Sequence, residues 1–284
     1  MKTFASIPIC AVLGLIFRAT DFAGGAQLGI VSNAEPQRIF FGEDKKISAT
    51  FRNSSGEDFE NEIHTRVFQT GSGTSVLLSE APWEKLQILP NQTIIESVAL
   101  NFPTVRTETR FIIQWWEGTN RMSGITEVLV YPTNLLEELK SLAGDKESLG
   151  VFDPTGQLKP LLKMTKVGFV DLDEAVLEDF QGKLAIIGPF STKAQMREGL
   201  AQTIQKIARK GVAVVWIRPP PGPKDPIKPS FYIVPEGKGP VVVVQADLVA
   251  NPAGSPQAQL NLVYFCKLAL NPTPFSLLDS KTQP

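Results

Sequence analysis

The chain has 284 residues, and 43% of them are apolar, enough to build more than one hydrophobic core and to exclude a disordered chain. With 28 Lys and Arg against 29 Asp and Glu the formal charge is -1, and no long run of one sign appears. That balance argues against an electrostatic nucleic-acid surface.

The first 26 residues fit an export signal. Lys2 precedes an apolar stretch from Phe4 to Phe17, and the small residues Ala23 to Ala26 follow. The apolar run of about 14 residues is shorter than the roughly 20 that span a bilayer, which favours cleavage after Ala26 over retention as an anchor. The mature chain is then expected outside the cytoplasm, periplasmic or extracellular, with no integral membrane span. Cys10 leaves with the signal, so Cys266 remains as a lone thiol that cannot close an intramolecular disulfide.

From Arg38 to Tyr131 the pattern has period two. In Lys46–Arg52 the side chains of Ile47, Ala49 and Phe51 share one face, and Lys46, Ser48, Thr50 and Arg52 share the other. Further strands are expected at 37–41, 62–69, 74–79, 93–101, 108–116 and 124–131, with turns at Asn53–Gly56, Gly71–Gly73 and Leu89–Gln92. About seven short strands over such a length suit a β-sandwich across residues 27–132. This pattern resembles the immunoglobulin-like accessory sandwiches of secreted bacterial proteins. His64, the sole histidine, reads as a solvated strand residue. Trp115 and Trp116 face opposite sides: one belongs to the core, and the other either covers an interdomain contact or offers a stacking platform for a sugar.

A connector helix is expected within 133–148, where Leu135, Leu136, Leu139 and Leu142 share a side. Beyond it the apolar runs 149–152, 167–172, 184–187, 212–217 and 241–245 are too short for helices, and helical segments separate them. The economical solution is an α/β doubly wound parallel sheet over 149–270. One helix is expected from Thr192 to Lys210, opened by a Thr192–Gln195 capping box and closed by Gly211. A second is expected at 258–270, with Cys266 buried inside it. Residues 271–284 read as a flexible tail.

Three pieces in order, Leu149-Gly-Val-Phe-Asp153, then Leu177-Glu-Asp-Phe-Gln-Gly-Lys-Leu-Ala-Ile-Ile-Gly188, then the helix into Lys210-Gly-Val-Ala-Val-Val-Trp216, resemble the class I glutamine amidotransferase-like fold, including its degenerate versions. That resemblance implies a nucleophilic cysteine on an elbow between strand and helix, with a histidine and a glutamate later in the chain. The elbow position here holds Pro189-Phe-Ser-Thr192, and neither Cys266 nor His64 replaces the missing set.

In a parallel sheet, ligands gather at the carboxyl ends of the strands. The expected ligand-binding residues are therefore Asp153, Thr155, Asp171, Ser191, Thr192 and Arg218, with no catalytic residue, no metal and no cofactor. Ser191 lacks a Gly-x-Ser-x-Gly elbow and a downstream histidine. Asp171 with Asp173 reads as a solvated loop and a helix cap in preference to a carboxylate pair. Residues 219–229 hold six prolines in eleven positions, a stiff surface segment that either spaces or docks a partner. The leading expectation is a non-enzymatic binding or assembly protein with a protein or carbohydrate partner. The alternatives are a carbohydrate-active hydrolase using Asp153, Asp171 and Asp173, and a sugar-binding protein with its pocket at the strand ends.

Overall fold

The computed structural model describes residues 28–172, 177–222 and 229–272. The expected export signal, Asp173 and the tail expected beyond 272 lie outside the described residues. The fold is mixed α/β, with three sheets and few helices.

The first half contributes β1 (Leu28–Ile30), β2 (Gln37–Phe40), β3 (Gly42–Asn53), β4 (Phe59–Thr70), β5 (Ser75–Ile88), β6 (Thr93–Phe102), β7 (Thr109–Glu117) and β8 (Arg121–Tyr131). They form a three-stranded sheet in the order β1-β3-β6 and a five-stranded sheet in the order β2-β8-β7-β4-β5. Only β2 and β8 run parallel in these two sheets. The alternation expected in β3 is present: Ile47, Ala49 and Phe51 point into one core shared with Ile63, Ile88, Phe111, Ile113 and Trp115 of the facing sheet. Aromatic contacts knit the two layers together. Phe51 meets the Trp115 ring edge-on at 5.3 Å and stacks on Trp83 at 5.7 Å. Trp115 is completely buried, and its indole Nε1 donates to Thr126 Oγ1 at 2.9 Å, which satisfies the one polar group this large side chain carries inside.

Strand β5 is longer than the 74–79 expected from the pattern and continues through Pro82 to Ile88. Proline cannot donate to a ladder, but β5 is the edge of its sheet, and Pro82 stands opposite His64 where the register shifts. Strand β1 is too short to carry a pattern and pairs with Phe51–Asn53 of β3.

After Tyr131 the chain makes a short 3-10 turn at Leu135–Glu137 and then α1 (Glu138–Ala143), ended by Gly144 at φ 85°. The remaining elements are β9 (Leu149–Phe152), α2 (Leu158–Met164), β10 (Val170–Asp171), β11 (Leu184–Ile187), α3 (Leu200–Arg209), β12 (Ala213–Arg218), β13 (Phe231–Glu236), β14 (Gly239–Gln245) and α4 (Pro256–Leu270). Their sheet has the order β10-β9-β11-β12-β14-β13 and is parallel except for the edge strand β13. Every residue of β9 and β11 is buried, because helices cover both faces. Leu149, Val151, Ile186, Val215 and Val244 pack with Leu139, Leu162, Leu262 and Cys266 from α1, α2 and α4. On the opposite face Phe152, Ile187, Val214 and Val243 pack with Ile204 and Ile207 of α3 and with Phe190. Burial pushes the Cys266 thiol pKa up, so this cysteine is an inert core side chain.

Two expectations need correction. The helix read from Thr192 to Lys210 is two pieces. The Gln195 cap closes only one 3-10 turn, Lys193–Gln195; Met196 then turns extended at ψ 120°, Gly199 adopts φ 80°, and α3 starts at Leu200. The apolar positions of α3 that face the sheet are Leu200, Ile204, Ile207 and Ala208, so packing begins after the glycine break. Its far end is as expected, with Gly211 at φ 109° and Val212 N–H returning to Ile207 O. Strand β13 follows the proline-rich segment and carries Pro235, which an edge position tolerates. Helix α2 lies between the apolar runs 149–152 and 167–172, where the pattern predicts a helical segment.

Phe40, Leu129 and Tyr131 at the β2 and β8 end form a small cluster with Leu135 and with Leu260 of α4. Tyr131 Oη donates to Glu108 Oε2 at 2.5 Å. Its burial, and then this hydrogen bond, hold the phenol pKa up to about 12.

Two outcomes follow from these contacts. Below pH 10 the phenol is neutral in folded and unfolded chains alike; between pH 10 and about 12 only the unfolded chain ionises, so Tyr131 stabilises the fold at lower pH and that contribution is lost as pH rises through this window. Urea midpoints should therefore fall more steeply with pH in the wild type than in Tyr131→Phe. Thr126→Val strands the Trp115 N–H and should lower the unfolding free energy by about 1–3 kcal/mol, while Thr126→Ser should restore most of it.

Candidate functional site

The carboxyl ends of the parallel strands place the expected residues along one edge, but give them different work. Asp153, just past β9, is 4% exposed, and both of its oxygens are occupied. Oδ2 accepts from the backbone N–H of Leu158 (2.7 Å) and Lys159 (2.9 Å), and Oδ1 accepts from Gln157 N–H and from Thr155 Oγ1 (3.1 Å). These amides open α2 and have no partner within the helix, so Asp153 is its cap and Thr155 braces the cap. Asp171 accepts from Lys159 Nζ at 2.6 Å, a pair that ties β10 to α2. Ser191 and Thr192 are exposed, and their backbone N–H groups donate to Gln195 Oε1 at 2.6 and 3.2 Å.

The turn into that segment requires glycine. Gly188 ends β11 at φ 110°, precedes a cis Pro189, and a Cβ there would stand 2.4 Å from Ile217 O. This close approach sets the path by which Phe190 enters the core while Ser191 emerges at the rim.

Arg218, the last residue of β12, borders a pocket. The cavity measures about 80 Å³ and lies where β12 and β14 end and β13 begins. Lys193, Arg218, Ser230, Tyr232 and Gln245 supply its polar lining. Pro219, Pro221 and Pro229 supply apolar wall. Arg218 Nη1 donates to Tyr232 Oη at 3.3 Å, and the guanidinium carbon lies 5.1 Å from the centre of the Trp216 ring. Arg218 Nε and Trp216 Nε1 are buried N–H donors without an acceptor among the described residues. Tyr232 and Ser230 were not legible as site residues because β13 carries no clean alternation; only the pairing of Tyr232 with Val243 brings them to the rim.

Away from this edge, Trp116 is half-buried, with a cation over its ring. The guanidinium of Arg66 lies 4.1 Å from its ring centre, and Arg66 also pairs with Glu80 at 2.8 Å. His64 lies beside it, 3.1 Å from Glu62 Oε2. Among the described residues no group of three His, Cys, Asp or Glu side chains converges in a way that could hold a metal, and no helix is long and apolar enough to cross a membrane.

No protein-family model and no curated protein matches the chain. Solved structures overlap it in part. A β-glucosidase from Listeria innocua in complex with gluconolactone shares 13% identity over 37% of this chain and 16% of its own, with a TM-score of 0.28. The GH3 β-glucosidase of Bifidobacterium adolescentis shares 10% identity over 37% and 17%, at 0.26. Alkylpurine DNA glycosylase AlkC of Pseudomonas fluorescens, bound to DNA containing an abasic-site analog, shares 15% over 38% and 31%, at 0.28. The chain thus spans about a sixth of the length of the β-glucosidases and under a third of the glycosylase. Overlaps this partial assign neither a family nor an activity.

Proposed function

We propose that this is an exported binding protein of the cell envelope or its exterior, built from an immunoglobulin-like sandwich and a doubly wound α/β domain that is a catalytically degenerate relative of the class I glutamine amidotransferase fold. Its ligand seat is the pocket at the carboxyl ends of β12 and β14. The observation that carries this reading is the division of labour along that edge. The groups a hydrolase would draw on are committed to structure, Asp153 to the cap of α2 and Asp171 to Lys159, whereas Arg218 borders a cavity with donors left over. Ser191 sits at the rim with a backbone contact to Gln195, and the sole histidine belongs to β4, in the other half of the chain. Small-molecule seats with a few convergent polar groups at the carboxyl ends of the strands are the ordinary binding locus of such sheets.

Thermal unfolding with a panel of neutral sugars, acidic sugars, amino acids and nucleotides tests the reading. A ligand present at a hundredfold its Kd should stabilise the fold by about 2.7 kcal/mol, and a panel that moves no midpoint would overturn it. The roles along the edge are separable in the same assay. Asp153→Ala should cost about 2 kcal/mol through the lost cap, whereas Ser191→Ala should stay within about 0.5 kcal/mol. Glycoside turnover lost in Asp171→Asn would instead establish the hydrolase.

A further inference from the structure

We propose that the Arg218 pocket recognises a carboxylate, presented by a small molecule whose apolar body rests on the proline wall. The inference rests on the strand-end pocket being the binding seat, and it adds the chemistry of the ligand. Strand β12 puts Trp216 and Arg218 two residues apart, hence on one face of the sheet, the face that α3 covers. Both carry an N–H that is buried and has no acceptor among the described residues. Buried donors are almost always paired, and an orphaned guanidinium N–H at the border of a cavity is a place for an acceptor that a ligand supplies. The guanidinium is also without an ion-pair partner among the described residues, and the described residues of the pocket lining include no Asp or Glu. The acceptor that best matches a guanidinium held in this way is an anion.

The walls decide which anion. Phosphate seats gather several backbone N–H groups in a loop or at a helix start. Pro219, Pro221 and Pro229 have no backbone N–H to offer, and the foremost donor at the pocket is the planar fork of Arg218. That fork matches the two oxygens of a carboxylate, and its orientation is held by the Trp216 ring at 5.1 Å and by Tyr232 Oη at 3.3 Å. A cavity of about 80 Å³ admits the head group and the few atoms behind it.

Calorimetric titration and thermal unfolding of the whole protein with sodium acetate, propionate and benzoate, each against sodium chloride at equal ionic strength, make the test. Acetamide, propionamide and benzamide serve as neutral counterparts, and phenyl phosphate as the rival anion. The carboxylates should raise the unfolding midpoint and the amides should not. Arg218→Met should weaken carboxylate binding about tenfold or more, and Arg218→Lys, which keeps the charge and loses the fork, should weaken it as well, so that one variant is informative if the other fails to fold. Trp216→Phe should weaken it several-fold. Amides that bind as well as the acids, phenyl phosphate that binds better than benzoate, carboxylates that leave the midpoint unmoved, or binding unchanged in both Arg218 variants would each overturn the proposal. If neutral sugars or nucleotides stabilise wild type and Arg218→Met equally, the binding reading stands and the carboxylate assignment falls.

Discussion

The second half of the molecule depends on one constraint: the strands at the middle of its parallel sheet leave no side chain for water. All four residues of β9 and all four of β11 are buried, so apolar cover is required on both sides at once. Helices α1, α2 and α4 meet it on one face and α3 on the other. Backbone polar groups in such strands are satisfied only by the neighbouring strand, which locks β9, β11 and β12 in register and aligns their carboxyl ends. The edge that results is where the loops must turn, and where polar side chains can first reach solvent.

That geometry explains why residues so similar in type have such different roles. Asp153 stands where α2 begins close behind β9, and the unpaired amides of a helix start are strong donors for a carboxylate. Once four hydrogen bonds converge on it, Asp153 has little capacity left for a ligand. Arg218 lies farther along the edge, where the chain leaves the sheet through Pro219 and Pro221, residues with no backbone N–H to offer. A rigid strand end therefore holds a cation against an indole, with no acidic side chain to pair with it among the described residues.

The first half is organised differently, around aromatic rings. Phe51, Trp83 and Trp115 lie within 6 Å of one another in stacked and edge-on contacts between the two sheets. The Trp115 to Thr126 bond lets the largest of these side chains be wholly buried without an orphan donor. The tight cluster of Phe40, Leu129 and Tyr131 then meets Leu260 of α4, so the two halves touch through apolar side chains with the Tyr131 and Glu108 pair at their margin.

Periodicity along the chain determined most of the strands and their inward faces, because alternation and unbroken apolar runs are local consequences of one-sided and two-sided burial. The buried state of Cys266, the glycine stop after α3 and the placement of Arg218 at a strand end were legible for the same reason. Tertiary structure alone decided how far β5 runs past Pro82, where α3 begins, and that β13 closes the sheet, since each depends on a partner distant in sequence or on an edge that tolerates proline. It also decided which polar residues remained available: Asp153 and Arg218 both follow apolar strands, and only the neighbours that folding brings to them separate a helix cap from a cation facing a cavity.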